Sequence, residues 1–189
     1  MIEMSQVITD DNPLIRNVSK EVPLPLSKED QDTLLEMLQF LKDSQDEEIA
    51  EERGLRPGVG IAGIQIGLEK RMCAIYIRDE DEEGNIINET QYCLVNPKVI
   101  SHTEMKSYLK NGEGCLSVPE DIQGYVPRYA KIKVRAYDLL QDKEIEITAR
   151  GFLSICLQHE FDHFDGILYY DHIDLDHPDL PIENAMVIE

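Results

Sequence analysis

A chain of 189 residues with 38 acidic against 18 basic side chains, a formal charge of −20 and no tryptophan is expected to form one domain, spanning residues 1–189, with a real core. Such a field opposes direct binding to nucleic-acid phosphates or anionic lipid, because each contact starts from repulsion. The N-terminus Met1-Ile2-Glu3-Met4 has no basic region before an apolar core, and no apolar run approaches spanning length, so no signal peptide, no membrane and a cytoplasmic location are expected.

In chain order, residues 5–26 contain Pro13, Pro23 and Pro25 and read as an extended arm. Ser27 is placed to cap a helix, with Glu29 and Asp30 in its first turn. Leu34, Leu38 and Leu41 then mark one amphipathic face, and the helix is expected to fade into a solvated charged stretch from Asp46 to Arg53. Gly58-Val59-Gly60-Ile61-Ala62-Gly63 matches GxGxxG, but Arg56-Pro57 precedes it instead of a buried strand, which speaks against a dinucleotide site. The better use of these glycines is a backbone that approaches a ligand closely, with Gln65 presenting an amide.

From Arg71 to Thr148 the pattern is β. Arg71–Arg78 and Tyr92–Ile100 read as strands, the second interrupted by Asn96-Pro97, with an acidic turn at 79–85 and a further strand over Glu104–Leu109. Lys131–Tyr137 alternates an apolar and a basic face and is expected to pair with Glu144–Thr148, whose charges complement it. Cys73, Cys93 and Cys156 sit in apolar stretches and no CxxC occurs, so free thiols are expected.

The richest segment is His159-Glu160-Phe161-Asp162-His163, on a helix expected from about Arg150 to Asp165 and stopped by Gly166. Two imidazoles four residues apart share one helical face and suit one divalent metal, with Glu160 placed to handle the proton of a bound water. Two His and a Glu on so apolar a helix are costly to bury unless paired or bound to metal. A catalytic site of this kind takes a third protein ligand and one open position. A metzincin-like third His fails, because Tyr169 stands there. Asp171 and His172 read as surface loop residues beyond Gly166. Cys115, in Gly112-Glu113-Gly114-Cys115-Leu116-Ser117, is the stronger candidate.

Taken in order, GVGIAGIQ, EGCLS and QHEFDH resemble the three motifs of peptide deformylase, and the resemblance spans nearly the whole chain from about Val7. The long segment before the first motif and the apolar tail Glu183–Ile188 resemble the family's type II branch. The resemblance implies an α+β fold, with antiparallel β-sheets packed around a central HExxH-bearing helix, plus an N-terminal helix. It implies metal-dependent hydrolysis of the formyl group from N-formyl-methionyl nascent peptides, releasing formate, with transient ribosome proximity and no direct nucleic-acid binding. By motif, Cys115, His159 and His163 would bind one divalent metal per chain, Fe²⁺ natively, with Zn²⁺, Ni²⁺ or Co²⁺ able to replace it. Hydroxide on that metal would attack, Glu160 would be the general acid/base, and Gln65 with the Leu116 N–H would stabilise the oxyanion. Val59, Gly60, Ile155 and Cys156 would line the methionine pocket, and the backbone near Gly58–Gly60 and Gly112–Gly114, which includes Gly58, Glu113 and Gly114, would pair with an extended peptide. Without the other motifs, HExxH alone also suits a zinc metallopeptidase. One departure stands out: Ile61-Ala62-Gly63 replaces the usual Leu-Ala-Ala, and the missing methyl at Gly63 is expected to loosen the loop that holds Gln65.

Overall fold

The structure, a computed structural model, describes all residues 1–189. Three α-helices, α1 (Lys28–Ser44), α2 (Glu47–Arg53) and α3 (Gly151–His163), accompany eight strands. These are β1 (Gly60–Ala62), β2 (Met72–Glu80), β3 (Ile86–His102), β4 (Lys106–Leu109), β5 (Arg128–Tyr129), β6 (Lys131–Asp138), β7 (Lys143–Arg150) and β8 (Met186–Ile188). A five-stranded sheet has the order β1-β2-β3-β6-β7 and a three-stranded one the order β5-β4-β8. The result is the expected α+β fold.

Side-chain alternation on β2 sets the layers. Met72, Ala74 and Tyr76 face Leu34, Met37, Leu38 and Leu41 of α1, while Cys73, Ile75 and Ile77 face Cys156, Leu157 and Phe164 at the α3 side. β2 is therefore buried on both faces, which is why it reads as a continuous apolar run. α3 lies between this sheet and the smaller one, to which its polar residues are tied. Ser154 Oγ donates to Tyr129 O at 2.9 Å, and Gln158 accepts from Tyr129 N at 2.8 Å and donates to Tyr129 O at 3.0 Å. All four cysteines are free and buried.

The Ser27 side chain caps α1 as expected, accepting from Asp30 N at 3.1 Å. The hairpin β6–β7 pairs Arg135 with Glu146, and Lys133 also reaches Glu146. Four features refine or change the expectations. The stretch from Asp46 to Arg53 is a second helix: Asp46 caps it, and Arg53 ties it back to Asp43 and to Ile2 O at 2.7 Å. Asn96-Pro97 does not end β3 but forms a bulge, with Asn96 at φ 49° and the register shifting between Val95 and Lys98. A bulge leaves proline without a ladder bond to make. The Asn96 amide then clasps the N-terminal arm, bonding Val22 N and Val22 O, each at 2.8 Å. In the smaller sheet β8 joins β4 in parallel, because it returns through a long connection and not a hairpin. Finally, Tyr169–His172 forms a 3-10 turn whose Asp171 pairs with Arg16 and whose His172 reaches into the structure, so neither is a free loop residue.

Candidate metal centre and active site

Three donor atoms, one each from Cys115, His159 and His163, lie within 4.8 Å of one another. Cys115 Sγ is 3.4 Å from His163 Nε2. The two imidazoles come from successive turns of α3, and Cys115 is delivered by the glycine-bearing loop between β4 and β5. His159 Nδ1 donates to Glu113 Oε2 over 2.8 Å. That bond engages Nδ1 and leaves Nε2 as the nitrogen that would meet a metal, the arrangement a metal-binding histidine needs. One thiolate and two imidazoles in a buried cluster fit a tetrahedral divalent ion with one open position. Burial pushes the His163 imidazole well below its ordinary value, so it is neutral and able to ligate. At His159 burial acts the same way, but Cys115 and Glu113 outweigh it and raise the proton affinity.

Glu160 lies beside these donors, 4 % exposed, and its Oε2 has no hydrogen-bond partner. Burial is the main cause that pushes its carboxyl up to about 7. A Cβ at Gly60 would overlap the Glu160 carboxylate, so β1 passes this close only because position 60 is glycine. Gln65, 1 % exposed, is pinned by Ala62 N donating to its Oε1 at 2.8 Å. Its Nε2 is thereby turned towards Ser117 Oγ at 3.1 Å and Cys115 Sγ at 3.6 Å. No protein acceptor takes the Leu116 N–H.

A cavity of about 400 Å³ opens onto this group. Gly58, Val59, Gly60, Gln65, Glu113, Gly114, Cys115, Leu116, Ile155, Cys156, His159 and Glu160 all line it, whereas His163 lies behind. Gln45, Arg56, Pro57, Leu109, Asp121 and Phe152 complete the wall. β1 pairs only with β2, so its other edge is free on the cavity side.

One expectation, that for Gly63, changes here; the one for Glu113 concerned its backbone and stands apart from its side chain. The Glu113 side chain is not available to a peptide: both oxygens are engaged, by Arg128 Nε at 2.8 Å, Arg128 Nη2 at 2.9 Å and His159. Despite its burial, Arg128 and His159 hold Glu113 down at about 2. Gly63 does not loosen the Gln65 turn. A Cβ there would lie 3.0 Å from Lys70 O and 3.2 Å from Leu68 O, so the turn is closely packed. Sequence reasoning also missed Arg128 and Asp162. Their signal was slight: a lone basic residue at a strand start, and a polar residue on a buried helix.

The sequence model of the polypeptide deformylase family matches residues 4–178. Peptide deformylase 2 of Bacillus subtilis (strain 168) is 46% identical over 189 residues, covering 100% of both chains. Among solved structures, a peptide deformylase from Ehrlichia chaffeensis has TM-score 0.70 and 28% identity over 91% of this chain and 89% of that one. The Met-Ala-Ser-bound class I type b peptide deformylase from Acinetobacter baumannii gives TM-score 0.68 and 25% identity over 88% of this chain and 96% of that one. With a match over most of its length, and with a curated relative this similar from end to end, the chain belongs to the peptide deformylase family.

Proposed function

We propose that this protein hydrolyses the formamide of N-formyl-methionyl nascent peptides, giving formate and a free amino terminus. The carrying observation is the convergence of Cys115, His159 and His163 beside an unpartnered buried carboxylate at one end of a cavity. A divalent ion held by the thiolate and two imidazoles would supply Lewis acidity, acidifying a water and polarising the formyl carbonyl. Family membership favours Fe²⁺; Zn²⁺, Ni²⁺ and Co²⁺ suit the same donors.

The protein's own groups account for the remaining steps. Glu160, raised to about 7, accepts a proton from water near neutral pH and returns it to the departing nitrogen. The Gln65 amide, held by Ala62, and the unpaired Leu116 N–H donate to the oxygen on which charge develops. One such donor typically contributes about 3 kcal/mol to the transition state. The free edge of β1 accepts the peptide as an added strand, aided by the backbone at Gly112–Gly114. A relative of the same fold, bound to Met-Ala-Ser, supports a peptide of this kind. Val59, Gly60, Ile155 and Cys156 then meet the methionine side chain, with Phe152 beyond them. The strongly acidic surface suits brief visits to a translating ribosome without holding its RNA. The family match decides against the zinc-metallopeptidase alternative.

The test is formate release from formyl-Met-Ala-Ser by anaerobically purified protein, beside Glu160→Ala. Wild type is expected to turn over, while the mutant keeps its metal and loses about 10²–10⁴-fold in rate. A mutant as active as wild type removes Glu160 from its role, and a silent wild type removes the function.

A further inference from the structure

From the metal ligands a chain of buried charges runs outward to the surface. His159 Nδ1 donates to Glu113. Glu113 receives Arg128 through two nitrogens, and Arg128 Nη1 also bonds Asp162. Asp162 Oδ2 finally accepts from His172 Nε2 at 2.7 Å. The Glu113 and Arg128 side chains are 3 % exposed, Asp162 is 21 % and His172 is 32 %. Two carboxylates thus compete for one guanidinium with little water available to either. The Oδ2 atom that takes Arg128 Nη1 is also the one His172 occupies. His172 itself is held by the 3-10 turn Tyr169–His172, whose Asp171 carboxylate accepts from Leu168 N at 2.8 Å and pairs with Arg16.

We propose that His172 is a positioning residue for His159. Its Nε2–H satisfies part of the Asp162 carboxylate, so Arg128 stays bidentate on Glu113 and Glu113 holds the His159 ring with Nε2 towards the metal. With that donor removed, Asp162 draws the guanidinium to itself, Glu113 loses its fixed partner, and the His159 ring gains freedom. The inference rests on the reading of Cys115, His159 and His163 as metal ligands.

The experiment uses full-length protein loaded with Co²⁺, comparing wild type with His172→Phe, which keeps a ring without a donor, and His172→Gln, which restores a donor. The readouts are the visible cobalt bands, the rate of Co²⁺ release to a chelator, and the unfolding midpoint of each metal-free protein. His172→Phe is expected to shift the bands and release cobalt on the order of 10-fold faster, the lower end for partners that orient a metal ligand. His172→Gln is expected to stay near wild type. Equal release from wild type and His172→Phe, equal acceleration in both variants, or a change that only follows a lowered midpoint overturns the proposal. A wild type with no thiolate-to-cobalt absorption overturns the metal-centre reading, and the proposal with it.

Discussion

At the scale of single residues, Glu160 carries a thermodynamic signature that its substitution can expose. Its carboxyl is raised from 4.5 to about 7 in the folded protein, so ionising it costs folding free energy. In metal-free protein that cost is absent below about 4.5, grows as pH rises towards about 7, and is constant above, at about 3 kcal/mol for a shift of this size. Glu160→Gln removes the charge at every pH. Urea unfolding of metal-free protein should therefore find the variant gaining on wild type between pH 4.5 and 7, with no further gain above; a difference independent of pH would contradict this. Gly60→Ala belongs to the same scale. Its new methyl falls on the Glu160 carboxylate, so formate release is expected to drop at least tenfold. An unimpaired variant would mean that β1 does not set the Glu160 position. His159, Glu160 and His163 were legible because helical spacing alone gathers them. The Glu113–Arg128 pair was not, because its partners are joined only when a loop and β5 meet across the end of α3.

At the scale of elements, the short turn over Gly63–Ile66 decides how firmly Gln65 is held. Because a Cβ at position 63 meets two backbone carbonyls, Gly63→Ala is expected to destabilise the protein by about 1–3 kcal/mol, as overpacking does. Chemical denaturation measures it, and a stabilised variant would contradict the packing. Strong periodicity made α1 and the β6–β7 hairpin readable, and the His spacing on an apolar stretch made α3 so. α2 was hidden because its residues are mostly charged; the Asp46 and Gly54 caps, Arg53 and a single small apolar contact at Ala50 fasten it. The β3 bulge was hidden for a different reason. Asn96-Pro97 is a local breaker at which the pairing with β2 ends at Val95, and the strand continues because β6 re-registers around it.

At the scale of the whole molecule, charge dominates. Even if every one of the 18 basic side chains found an acidic partner, 20 of the 38 carboxylates would remain unpaired. Self-repulsion should therefore outweigh the exposed ion pairs, each of which contributes little. Adding sodium chloride from low ionic strength to about 0.5 M is expected to raise the thermal midpoint, because screening relieves the repulsion more than it weakens the pairs. A falling midpoint would assign the balance to the ion pairs. The layer order could be inferred from α1 and α3 flanking an apolar β2, whereas the parallel placement of β8 depends on a long return that has no local signal.

Central to everything above is a cation held by one sulfur and two ring nitrogens. X-ray absorption at the metal edge of the loaded protein tests it most directly. One sulfur scatterer at about 2.3 Å and two imidazole nitrogens near 2.0–2.1 Å are predicted for the zinc form, with the sulfur lost in Cys115→Ser. A first shell of nitrogen and oxygen only, or one unchanged by that substitution, would contradict it.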